Sequence, residues 1–159
     1  MSTNYYERMR ADFLEHFGDS LCEESRDDVA VAKDLPTFIA LLHRYMHYLC
    51  YKHLEVPTVA WAREWFADYK QELNENGVFL DQILALEEPT TDSVILLGAT
   101  NINVILAKSR TVEFTLENES TLNIVAYYSA RCNVQLKGAA SKASIIHKSP
   151  YANIKIRKI

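Results

Sequence analysis

From Val94 onward the chain repeats every ten residues. One column reads Val94, Val104, Phe114, Ile124, Val134, Ser144 and Ile154; two places later a second reads Leu96, Leu106, Leu116, Ala126, Leu136, Ile146 and Ile156. A third, Ile102, Val112, Leu122 and Cys132, is apolar too before fading at Lys142 and Ala152. Seven units in step, read without insertion or deletion, make a repeat, and a repeat dictates the architecture. Within each unit apolar and polar residues alternate with period two, the pattern of a strand with one face inward.

Ten residues make either a strand with a hairpin turn or one side of a solenoid coil. Turn chemistry disfavours hairpins, because this half holds only Gly98 and Gly138 and has no Asn-Gly or Asp-Gly pair. A weaker pattern decides the matter. The position between the two main columns reads Ile95, Thr115, Gln135 and Lys155 in one set of units, and Ile105, Val125 and Ile145 in the other. The next outward position reads Leu97, Glu117, Lys137 and Arg157 against Ala107, Tyr127 and His147. The true repeat is therefore about twenty residues, two strands per coil, stacked roughly three and a half times, with one outer face polar and the other apolar.

The first half follows helical spacing instead. Tyr6, Met9, Phe13 and Phe17 recur at three- and four-residue steps, with Asn4 a candidate cap and Gly18 a stop. Residues 19–33 read as a short helix and a loop. Asp34 before Leu35-Pro36 caps a helix whose one face carries Phe38, Leu42, Tyr45 and Leu49. Val56-Pro57-Thr58 opens another, with Trp61, Ala62, Trp65, Phe66 and Tyr69 as buried candidates, ended by Asn76-Gly77. The expected fold class is α+β: a small N-terminal helical bundle over residues 1–77, a linking or first irregular coil over 78–92, and a short two-sided parallel β-solenoid over 93–159. The chain is 48% apolar, which supplies a core and excludes wholesale disorder.

Charge changes at the same place. Residues 1–89 hold 17 acidic and 8 basic side chains, net −9, whereas residues 90–159 hold 4 and 9, net +5. No acid follows Glu119, but Arg131, Lys137, Lys142, Lys148, Lys155, Arg157 and Lys158 do. This basic edge reads three ways: a solvated edge that repels other edges, a contact with the acidic half of another copy, or a phosphate-binding strip. Aromatic stacking partners are scarce there, so nucleic acid is the least favoured.

Common catalytic signatures are missing from the sequence. The four glycines form no phosphate-cradling loop, and no serine sits in a nucleophile elbow. Cys22 stands beside Glu23 and Glu24, whose charges disfavour a thiolate. Glu113 and Glu117 share a strand face, but Lys137 and Arg157 are their expected neighbours, which reads as a salt-bridged surface rather than a glycosidase pair. His43, His47 and Cys50 fall within an arc of about 60° on one helix, with His53 a turn further, a spacing zinc can use. No second pair supplies the remaining ligands, although Cys22 or His16 could approach in space. The arc borders the apolar face, where packing is the plainer role. No cofactor is expected.

The run Asn76-Gly77-Val78-Phe79-Leu80-Asp81, between a short helical segment and a repetitive β segment, resembles a group of accessory proteins of phages and mobile elements of gut bacteria. The resemblance implies an accessory role and brings no activity and no functional residues. Three widely spaced cysteines and an N-terminus, MSTNYYERMRADF, without an apolar leader lead to the expectation of a cytoplasmic chain with no membrane segment. The outward stripe Ile105, Val125 and Ile145, flanked by Tyr127, should be covered on a soluble protein. Either the chain's own helices or a second copy can cover it, and a homodimer through the solenoid half is the expected partnership.

Overall fold

The computed structural model describes residues 3–46 and 56–159, in two compact units, Met1–Asp68 and Tyr69–Ile159. The first unit holds helices α1 (Thr3–Phe17), α2 (Glu23–Val31), α3 (Leu35–Met46) and α4 (Val59–Phe66). Phe13 is its hub, packing edge-on to Phe38 at 4.9 Å and to Trp61 at 5.3 Å. Met9, Val29, Ile39, Ala62 and Phe66 are buried with it. Two caps match the reading: the Thr37 amide donates to Asp34 Oδ1 at 2.9 Å, and the Trp61 amide to Thr58 Oγ1 at 3.3 Å. These bonds from Thr37 hold the exposed Asp34 carboxyl below its ordinary value. The helix expected to run on to Asn76-Gly77 instead breaks into a tight turn at Ala67–Tyr69 followed by α5 (Lys70–Glu75), which belongs to the second unit.

The second unit is a parallel β-solenoid of nine strands. β1 (Val78–Leu80), β3 (Ser93–Leu97), β5 (Thr111–Leu116), β7 (Arg131–Leu136) and β9 (Asn153–Lys158) form one sheet in that order. β2 (Ile83–Glu87), β4 (Asn101–Leu106), β6 (Thr121–Ala126) and β8 (Lys142–Lys148) form the other. Each coil thus contributes one strand to the odd sheet and one to the even sheet. Residues 78–92, read from sequence as a linking or first irregular coil, carry β1 and β2 and so form the first coil of the solenoid. The columns predicted to point inward do so through the middle: Val94, Leu96, Ile102, Val104, Leu106, Val112, Phe114, Leu116, Leu122 and Ile124 are all buried.

Corners are made by residues that tolerate a left-handed backbone rather than by hairpin turns. Asp81, Gly98 and Asn118 have φ of 49°, 67° and 57°. Their side chains lace one corner to the next: Asn118 Oδ1 accepts from the Gly98 amide and Asp81 Oδ1 from the Ala99 amide, each at 2.9 Å. Buried Thr100, Ser120 and Ser141 complete these corners by donating their hydroxyls to the Leu97 carbonyl (2.7 Å), the Gly98 carbonyl (3.1 Å) and the Gly138 carbonyl (2.7 Å).

The last coil corrects the sequence columns. β8 pairs with β6 one residue out of step, Thr121 with Lys142 and Ile124 with Ile145, and a bulge then puts Val125 beside His147. In the odd sheet Val134 pairs with Ile156 and Leu136 with Lys158. Ile145 therefore stands in register with inward Ile124, not in the outward row, yet in this terminal coil it is exposed, as the sequence reading expected. Ile146, expected inward, lies in the bulge and is 65% exposed.

Candidate interaction surface

On the outer face of the even sheet, parity and register set out three rows. They run Ile83–Asn101–Thr121–Lys142, Ala85–Asn103–Asn123–Ser144 and Glu87–Ile105–Val125–His147. The stripe read from sequence is thus real in Ile105 and Val125, but continues to His147 where Ile145 was expected. Ile105 is 37% exposed and Tyr127 42%, and Val125 is half-buried. Tyr127, just beyond β6, lies against the His147 ring with centroids 5.3 Å apart. In the adjacent row Asn123 Nδ2 donates to Asn103 Oδ1 at 2.8 Å, fixing two side chains of neighbouring coils in one ladder.

The odd sheet's outer face differs from the polar surface its sequence suggested. Ile95, Leu97, Thr115 and Glu117 point outward by parity yet are buried. Glu117 is paired with Lys137 at 2.9 Å, their side chains 3% and 6% exposed. A desolvated pair of this kind is weak evidence of net stability. Removing one partner, however, strands a buried charge at a cost of about 3–5 kcal/mol. Lys137 therefore leaves the basic edge. Arg131, Lys142, Lys148, Lys155, Arg157 and Lys158 remain exposed. Lys155 and Arg157 join Glu113, Asn133 and Gln135 around a polar recess of about 180 Å³. Glu113 and Glu117 do not form an open pair of carboxylates, because Glu117 is committed to Lys137.

The thiols have contrasting settings. Cys22 is exposed at the start of α2, 3.0 Å from Ser25 Oγ, whereas Cys132 lies in the solenoid core, where burial pushes its thiol up to about 12. His43 lies half-buried on α3; His47, Cys50 and His53 fall outside the described residues. Among the described residues no group of three or more His, Cys, Asp or Glu side chains is arranged to hold a metal ion. Nor, among them, is any helix long and apolar enough to cross a membrane.

One arrangement escaped the sequence reading. Asp12 Oδ2 accepts from both Trp61 Nε1 and Trp65 Nε1 at 2.8 Å, tying α1 to α4. The carbonyl and carboxylate of the same residue raise the pKa of exposed His16 above its ordinary value. Two tryptophans four apart on one helix face are the signal that a shared acceptor was needed. Asp12 serves as a staple, since both indoles already occupy it.

Comparison of the chain with protein-family models, with curated proteins and with solved structures gives no match.

Proposed function

We propose that this protein is a non-enzymatic interaction module that associates with itself through the outer face of its even sheet. The observation that carries the reading is the middle of that face. The outward residues of β4 and β6 are Asn, Thr, Ile and Val, none of them charged, and Ile105, Val125 and Tyr127 stay accessible among them. A flat, uncharged, partly apolar strip is costly to leave in water and suits close packing against another protein surface. Two of the groups that could do chemistry are otherwise engaged: Glu117 with Lys137, and the Cys132 thiol held protonated in the core.

Light scattering across a concentration series tests the reading. The wild type should form a dimer that persists at high salt, because burial of apolar surface is not screened, and Val125→Lys should be monomeric under the same conditions. A wild-type monomer at every concentration and salt would end it.

A further inference from the structure

We propose that the two copies meet with their even sheets face to face and their solenoid axes antiparallel, so that β4 of one lies over β6 of its partner. This arrangement rests on the self-association reading above and specifies its geometry. The face is graded in charge along the solenoid: the outward row containing the apolar stripe starts at Glu87 on β2 and ends at His147 on β8, and β8 also carries exposed Lys142 at the end of the outward row that begins at Ile83. The strands between, β4 and β6, present no charge outward.

Two symmetric ways of stacking such a face exist, and charge separates them. A two-fold axis along the solenoid sets each coil over its own counterpart, bringing β8, with outward Lys142 and His147, over β8 of the partner and the Glu87-bearing β2 over its β2. An axis along the strands, midway between β4 and β6, reverses the order of the coils. Glu87 then faces the partner's His147, and Ile105 faces the partner's Val125. Size agrees with charge. Just past the strand ends Ala107 stands beside β4 and Tyr127 beside β6, so the same reversal sets the large ring over the small methyl, and does so twice. The Asn103–Asn123 ladder, already bonded within its own sheet, can enter the contact with those polar atoms satisfied.

Cross-linking between chains that each carry one accessible cysteine, with Cys132 left buried in the core, discriminates the two axes. Sheets packed face to face lie about 10 Å apart, too far for a disulfide, so the probe is a short bismaleimide. In the full chain with Cys22→Ser and Cys50→Ser, an equimolar mixture of Ala85→Cys and Ser144→Cys, exposed at the two ends of one outward row, should give mainly the mixed cross-linked dimer, each variant alone reacting at least about tenfold more slowly because its own counterpart lies three strand spacings away. Faster cross-linking of Ala85→Cys with itself, in a protein that still dimerises, would overturn the antiparallel arrangement and leave self-association standing. Dimers that cross-link through neither position would overturn both, as would a monomeric parent. As a second measurement, Glu87→Lys should weaken dimerisation about five- to tenfold at low salt, and Glu87→Lys combined with His147→Glu should restore it. Failure of the double variant to recover would also count against the arrangement.

Discussion

The inner coils of the solenoid and its last coil are built from similar residues, yet only the inner ones keep strict time. Between β3 and β5, β4 and β6, and β5 and β7, partners are always twenty residues apart, as Ser93 with Glu113, Asn101 with Thr121 and Thr111 with Arg131. In the last coil the separation grows to 21 residues at Thr121 with Lys142 and to 22 at Arg131 with Asn153. The first coil departs the other way, 17 from Val78 to Ile95 and 18 from Ile83 to Asn101. An inner strand has a neighbour on each side, so a slip of one residue would turn its whole apolar set outward against two ladders at once. A terminal strand has one such neighbour and can absorb an extra residue. β8 absorbs it as a bulge, which also bends an edge that carries Lys142 and Lys148. Both features hinder pairing with another edge.

The same chemical insult in the two regions should therefore have very different effects, and the largest is expected at Leu116. Leu116 is fully buried between Leu96 and Leu136, with which it is in register. Leu116→Asp places a carboxylate there with no partner, at a cost above about 4 kcal/mol, and should abolish the cooperative thermal transition of the solenoid as followed by circular dichroism. Retention of that transition within a few degrees would show that the inner columns do not carry the fold. A smaller effect is expected where the inner coils hand over to the last one. A Cβ on Gly138 would be driven into the backbone nitrogen and oxygen of Asn118 in the corner below. Gly138→Ala should thus destabilise by more than about 1 kcal/mol, read as a lowered denaturant midpoint, with Ala139→Gly as the control at an exposed neighbour. An unchanged midpoint would mean the corners are not in contact.

This contrast also explains what could be read beforehand. The inner columns were legible because inward positions of a covered strand tolerate little but Val, Ile, Leu, Phe and Ala, and because their spacing is constant. The Glu117–Lys137 pair follows from the same offset of twenty. Residues 78–92 hid a full coil because its shorter spacing falls outside the ten-residue beat and its corners use Asp81 and Glu88, both at positive φ, where no glycine advertises a turn. Ile145 was misplaced because one added residue at the Gly138–Ser141 corner reverses parity, and parity is all that a strand pattern reports. Burial of Ile95, Thr115 and Glu117 was illegible for a different reason: alternation gives the side of the sheet a residue faces, not whether that side meets water. On the outer face of the even sheet, the sequence columns placed Ile105 and Val125 in one outward row with Tyr127 just beyond it, as the register has them. They missed the charge gradient, which depends on β2 being a strand and on His147 closing the row.

Ile146 offers the sharpest version of the comparison, because an uninterrupted ten-residue beat would make it equivalent to Leu116. In the structure it occupies the extra position created by the bulge in β8, is 65% exposed, and faces no further strand. Ile146→Asp then removes little buried surface and leaves the carboxylate in water, beside a strand that carries Lys142 and Lys148. The expected change is within about 0.5 kcal/mol, which for a unit of this size shifts the melting temperature by no more than about 4 °C. If the bulge were absent and the beat ran on, the same substitution would bury an unpaired charge and melt the last coil. The outcome to be measured is the difference between two otherwise identical variants, Leu116→Asp and Ile146→Asp, under one set of conditions. Equal losses would place Ile146 in the core column and remove the slip. A near-silent Ile146→Asp beside an unfolded Leu116→Asp requires the slip, and with it the outward position of His147 on which the proposed antiparallel pairing of the even sheets depends.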